Sequence, residues 1–158
     1  MRVAVFDQAQ SSLRRVSRVS NYLGFPDGIG GPELLALSRA QIERFGARVF
    51  DEQIDAVEQR GGGFAVRSSR GEHDCTFFVL ASNKRTDLAA TLGLQLGGHG
   101  AKFVSVEHDG RTPLEGCYAA GRITGLPSQA IISAGDGAKV ALALVQRIRG
   151  EYYIDHDT

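Results

Sequence analysis

The chain has 158 residues, 42% hydrophobic and 23% charged, with 18 basic and 18 acidic side chains that leave a formal net charge of zero. That profile fits one ordinary globular domain and excludes a disordered segment. The balanced charge excludes the overall field that would draw a chain to nucleic acid or acidic lipid.

The N-terminus, MRVAVFDQAQ, turns polar too early for a signal peptide. The longest apolar runs, at 77–81 and 140–145, are far too short to span a bilayer, so the expectation is no membrane and a cytoplasmic location. Residues 2–6 alternate Val, Ala, Val and Phe as a short buried strand that ends at Asp7. A polar, arginine-rich stretch at 8–20 leads into the loop NYLGFPDGIGG, and Pro32 opens a helix. Along 32–45 the apolar positions Leu34, Leu35, Leu37, Ile42 and Phe45 form a helical stripe, which Gly46 stops. Residues 47–50 are the next strand.

The middle of the chain predicts short β runs at 54–58, 64–67 and 75–80, with glycine turns at 61–63 and at Gly71. This spacing suits an antiparallel meander laid on a parallel sheet. The run TFFVLAS is continuous and apolar, as a central parallel strand buried on both faces should be. Further strands are expected at 103–106 and 116–120, and a long helix with regularly spaced alanines at 128–149. No repeat or linker marks a second domain, so the expected fold is a single α/β domain over 1–158.

Residues that could carry chemistry are few. Cys75 and Cys117 are distant in sequence with no CxxC, and read as two unpaired packed thiols. The histidines at 73, 99, 108 and 156 lack metal-ligand spacing; His73 and His108, beside acidic residues in expected turns, read as solvated surface. There is no P-loop, GxSxG or HExxH. The glycines of NYLGFPDGIGG read as needed for tight turning, since the loop has no lysine and does not directly follow a strand.

Two longer stretches resemble a known family. NYLGFPDGIGGPELLALSRAQIERFGARVF resembles the segment of thioredoxin reductases that follows their first flavin-binding unit, and LEGCYAAGRITGLPSQAIISAGDGAKVALAL resembles their closing strand and helix. The resemblance implies a doubly wound, mainly parallel, FAD/NAD(P)-binding Rossmann-like sheet with a small antiparallel meander. It also implies parts that this sequence lacks. The first strand and its GxGxxG helix, which receive the FAD pyrophosphate, are missing. So are the nicotinamide domain, whose place is taken by Ala81-Ser82-Asn83, and the CxxC it carries. The family's Ala-Gly-Asp, whose carboxylate faces the flavin ribityl chain, reads Ala120-Gly121-Arg122.

By the same resemblance, Asp7 matches the acid that holds the adenosine ribose, Asn21 approaches the isoalloxazine, and Gln53 and Ile54 offer backbone to the adenine. Gly121 and Arg122 lie at the ribityl, and Gln129 and Ala130 meet the pyrimidine edge. The implied cofactor is FAD, held weakly or not at all by the isolated chain. Two functions follow: a flavoprotein-type oxidoreductase domain incomplete on its own and inactive as a disulfide reductase, or a non-catalytic binding or assembly module on the same scaffold. The absent first strand leaves apolar edges, which imply a homodimer, a partner chain covering that strand, or a shift of residues 2–6 into its slot.

Overall fold

Strand pairing divides the sheet into separate short ladders. A computed structural model of the chain describes residues 1–153; His156 lies outside the described residues. The contacts gather into two compact units, the first made of Met1–Val57 with Ala65–Asp74, the second of Glu58–Phe64 with the chain from Cys75 on.

In the first unit β1 (Ala4–Phe6) pairs in parallel with β2 (Arg48–Phe50), in the register Ala4↔Arg48, Val5↔Val49, Phe6↔Phe50. A parallel pair needs a crossover, and here it is a 3-10 turn at Ser12–Arg15 followed by α1 (Gly31–Arg44). Pro32 sits in the first turn of α1, where its missing N–H is no loss. The stripe expected along α1 is only partly inward: Leu34 is buried, whereas Leu37 and Phe45 are exposed. The helix covers a two-stranded ladder and the 3-10 turn, a target too narrow for its full apolar width.

The glycines before Pro32 serve packing as well as turning. Gly31 is buried, and a Cβ on it would lie well inside 3.0 Å of the Leu13 carbonyl. Only a residue without a side chain lets α1 begin against the 3-10 turn, whose Val16 carbonyl accepts the Gly31 N–H at 2.9 Å.

A meander forms, as β3 (Ile54–Arg60), β4 (Gly63–Ser68) and β5 (Gly71–Cys75) in that spatial order, its third strand starting at Gly71, where a turn was expected, and not at Cys75. Two-residue connections, at 61–62 and 69–70, join its strands.

In the second unit β6 (Phe78–Leu80) pairs in parallel with β9 (Cys117–Ala119), Phe78 opposite Cys117 and Leu80 opposite Ala119. Between them lie α2 (Asp87–Thr91), β7 (Leu96–Gly97) and β8 (Phe103–Val104), the last two pairing antiparallel. A single strand at 75–80 buried on both faces is not what forms. The chain leaves the meander at Cys75, β6 starts only at Phe78, and Val79 is 41% exposed because β6 has β9 as its one strand neighbour among the described residues. Likewise β1 stays beside β2, so residues 2–6 do not shift to β6. The closing helix, α3 (Ala130–Arg149), packs Val140 and Leu144 against Tyr118 and Ala120, with Phe77 beside them.

The close approach at Gly31 sets a clear expectation. Gly31→Ala lowers stability by about 2–3 kcal/mol because the overpacking exceeds the gain in helix propensity. Gly137→Ala, where a Cβ meets nothing within 4 Å, raises it by about 0.5–1 kcal/mol. Thermal melts of the two variants measure the contrast.

Candidate functional site

In the first unit the carboxyl ends of β1 and β2 carry the residues expected at the adenosine end. Asp7 follows β1 directly, and its N–H donates to the Phe50 carbonyl at 2.9 Å. Its carboxylate accepts the Ala9 N–H at 2.9 Å and lies 3.7 Å from the Arg14 guanidinium. Gln53 donates from Nε2 to Asp55 at 3.0 Å, and its carbonyl accepts the Ser69 N–H at 2.9 Å. Ile54, the first residue of β3, is half-buried, and Asn21 is exposed at the start of the 21–30 loop. Gln8, next to Asp7, has a buried Oε1 with no hydrogen-bond partner among the described residues.

A polar cluster beside these residues escaped the sequence reading. Ser68 is buried, its Oγ lies 2.5 Å from Glu52 Oε2 and 3.5 Å from His73 Nε2. His73 is therefore not a solvated turn residue: it is half-buried in β5, its ring 5.1 Å from Phe6 and 5.5 Å from Phe50. Phe6 and Phe50 themselves stack at 5.0 Å. The available signal was the period of β4, in which Phe64, Val66 and Ser68 share the inward face. His108 is exposed, as expected.

Asp51, just past β2, accepts from Arg39 through both oxygens, at 2.5 and 3.2 Å. That pairing holds its carboxyl below the usual range, but both side chains are exposed and the pair is a surface feature.

In the second unit Gly121 and Arg122, the residues expected at the ribityl, open a 3-10 turn at Gly121–Thr124. Gly121 has φ +77°, a left-handed conformation that favours glycine. Its N–H donates to Asp136 Oδ2 of α3 at 2.6 Å, and its carbonyl accepts Thr124 Oγ1 at 2.8 Å. Arg122 folds back on its own loop: Nη1 donates to the Leu126 carbonyl at 2.9 Å, and the guanidinium lies 4.9 Å from the Phe103 ring centre. Its Nε is buried with no partner among the described residues. Gln129 is the N-cap of α3, its carbonyl accepting the Ser133 N–H at 3.0 Å, and Ala130 is the first helical residue. Among the described residues no side chain hydrogen-bonds to cap that end and no acid occupies its first turn, where the helix dipole places partial positive charge.

Asp136, also missed in the sequence, is the charged anchor of this turn. Burial alone would raise its pKa; the Gly121 N–H and the Lys139 ammonium at 2.8 Å more than offset that, and the carboxyl titrates below its usual range. Cys117 is buried, and desolvation together with the nearby Cys75 pushes its thiol up to about 11 despite the opposing Thr112 hydroxyl. A thiol held protonated at neutral pH is a poor nucleophile. Among the described residues no group of three His, Cys, Asp or Glu could hold a metal. No helix among them is long and apolar enough to cross a membrane.

No family model matches the chain. Curated relatives do. Thioredoxin reductase of Streptomyces coelicolor is 45% identical over 63 residues, 40% of this chain and 20% of that protein. Thioredoxin reductase of Chlamydia pneumoniae is 26% identical over 144 residues, 91% of this chain and 44% of that protein. In three dimensions, the chain matches a thioredoxin reductase from Gloeobacter violaceus with a TM-score of 0.84 at 14% identity, covering 100% of this chain and 90% of the other. It matches the atypical thioredoxin reductase TRi from Desulfovibrio vulgaris Hildenborough at 0.81 with 19% identity, covering 96% and 91%. The chain is thioredoxin reductase-like in sequence and in fold. The matched region spans less than half the length of the curated relatives. The mixed α/β arrangement, parallel ladders with a meander, is thus the one that the thioredoxin reductase-like resemblance implied.

Asp136→Asn isolates the charge of the anchor, because asparagine keeps an oxygen for the Gly121 N–H. A depressed folded pKa contributes stability that is fully present above the unfolded value of about 3.9 and disappears as pH falls through the folded one. The variant should melt lower than the parent at pH 7, and the two should converge in acid. Melting curves from pH 7 to pH 2 check this, and a pH-independent gap would contradict it.

Proposed function

We propose that the chain is a flavoprotein-type oxidoreductase domain that holds FAD weakly or not at all on its own and does not reduce disulfides. The Gly121–Arg122 turn carries this reading. Its glycine N–H is already committed to Asp136, and the position that bears an acceptor in the thioredoxin reductases it resembles bears a guanidinium engaged with Leu126 and Phe103.

The fit to FAD is partial. Gln8 Oε1 and Arg122 Nε are buried polar atoms that lack partners among the described residues, and each adjoins a position expected at the cofactor. Buried polar groups in native proteins are nearly always satisfied, which supports a polar ligand or water at both places. The uncapped start of α3 would favour negative charge on a reduced ring. Against this, the Arg122 guanidinium stands where an acceptor is expected and is engaged with Leu126 and Phe103. Bound flavin would supply electron transfer; the protonated Cys117 thiol and the absence of CxxC remove the relay to a disulfide.

The second reading, a non-catalytic module on this scaffold, is favoured by one observation: Arg122 is put to structural use in its own loop.

An absorption spectrum of the purified protein followed by an FAD titration decides between the readings. The expected result is a colourless protein with weak binding, which Arg122→Asp strengthens about tenfold by returning an acceptor, equivalent to about 1.4 kcal/mol. A stoichiometric yellow protein would overturn the weak-binding proposal. Binding unaffected by Arg122→Asp would show that residue 122 does not face the cofactor. No detectable binding by either form favours the module.

A further inference from the structure

Tyr118, in the middle of β9, is only 2% exposed. Its ring lies edge-on to Phe77 at 6.5 Å and packs against Val140 and Leu144 of α3. Its hydroxyl has no hydrogen-bond partner among the described residues. A phenol this enclosed normally finds one. Tyr118 borders a small cavity whose walls include Arg111, Thr112, Glu115 and Arg147.

A tight reversal of the chain builds that cavity. The Thr112 N–H donates to the Cys117 carbonyl at 3.0 Å and the Ala119 N–H to the Gly110 carbonyl at 2.9 Å. Arg111 thereby bridges antiparallel to Tyr118, and residues paired in this way share a face. Arg147 arrives from α3, three residues beyond Leu144 and on the same side of the helix. Asp109 takes the Nε of Arg111 at 2.7 Å, and Glu115 takes one Nη of Arg147. A guanidinium carries several donors in a fixed fork, so both arginines keep donors for a further acceptor. Glu115 is 74% exposed, and an ion pair so exposed contributes little. It is a carboxylate resting at the mouth of the cavity, which a better placed carboxylate displaces.

We propose that this cavity binds a small organic monocarboxylate, one oxygen accepting from the Tyr118 hydroxyl and the other from Arg111 and Arg147. Three arguments select that class. The cavity measures about 20 Å³, against the about 10–15 Å³ that one water needs, so a carboxylate oxygen enters it and the four-oxygen head of a phosphate does not. The two arginines and the two acids, Asp109 and Glu115, sum to zero charge, which tolerates a monoanion, whereas a dianion would be repelled by both acids. Burial pushes the Tyr118 phenol up, with Arg147 and Arg111 pulling down and Asp109 and Glu115 up, so at neutral pH the hydroxyl is a donor. Water satisfies the hydroxyl alone; a carboxylate satisfies it and both guanidiniums. The site does not rest on flavin binding.

Nuclear magnetic resonance of the full, nitrogen-15-labelled chain tests the proposal, with sodium acetate replacing sodium chloride at constant ionic strength. The backbone amides of residues 111, 112, 116–118 and 147 should shift saturably, with a dissociation constant of about 1–10 mM, the range open to so small a ligand. Inorganic phosphate should bind at least about tenfold more weakly. Tyr118→Phe, which keeps the ring, and Arg147→Gln should each weaken acetate about tenfold, and Glu115→Gln should tighten it about threefold by removing the resident carboxylate. Because Arg147 and Glu115 lie at the surface, their variants keep the test valid even if Tyr118→Phe disturbs the core. Shifts that stay linear in acetate up to about 100 mM, acetate binding that neither Arg147→Gln nor Glu115→Gln alters, or phosphate binding as tight as acetate would each overturn the proposal.

Discussion

A single hydrogen bond, from the Gly121 N–H to Asp136 at 2.6 Å, joins the end of strand β9 to helix α3. Several features of the second unit depend on it. Gly121 can hold its left-handed turn because the donor that turn exposes has a charged acceptor, and charge-assisted bonds of this kind are among the stronger ones. With the turn fixed, Thr124 closes it from the other side and Arg122 is directed towards Leu126 and Phe103. Lys139 lies one turn along from Asp136 and limits the penalty of placing a carboxylate at 9% side-chain exposure. Strand, turn and helix are held by a carboxylate that does not belong to the turn itself.

The first unit is held differently. Its ladder is two strands of three residues, and neither strand contains a fully buried residue. Such a pair is marginal alone. What reinforces it lies at its carboxyl end, where Phe6 stacks on Phe50 and His73 from β5 packs its ring against both. The meander is thereby tied to the parallel pair through aromatic edges, and the Ser68–Glu52 hydrogen bond adds a polar tie between the end of β4 and the segment after β2.

The elements set by local pattern were legible in the sequence. Pro32 and Gly46 bracket α1, the glycines at 61–62 mark the hairpin, and the spaced alanines of the closing helix give its length almost to the residue. What depended on partners was not legible. An apolar run such as TFFVL has the same letters whether one neighbour or two flank it, so the exposure of Val79 could not be read from it. His73 beside Glu72 and Asp74 looks solvated along the chain and becomes half-buried only because Phe6 and Phe50 arrive from far away in sequence. Asp136 is one more polar residue in a helix until the 121 turn is set against it. Motif resemblance placed the candidate cofactor positions, but it could not show that Gly121 and Arg122 are already occupied by bonds within the chain.

The position of Arg122 also bears on how reversible its substitution is. Its guanidinium satisfies the Leu126 carbonyl and covers one face of Phe103, so the 121–126 loop has come to rely on it. Replacing it with the aspartate found in the proteins it resembles would leave that carbonyl without its donor and remove the cation from the aromatic face. A gain at the cofactor would therefore come with a looser loop. An acid at residue 122 is thus weighed against the loop's own bonds as well as against any ligand.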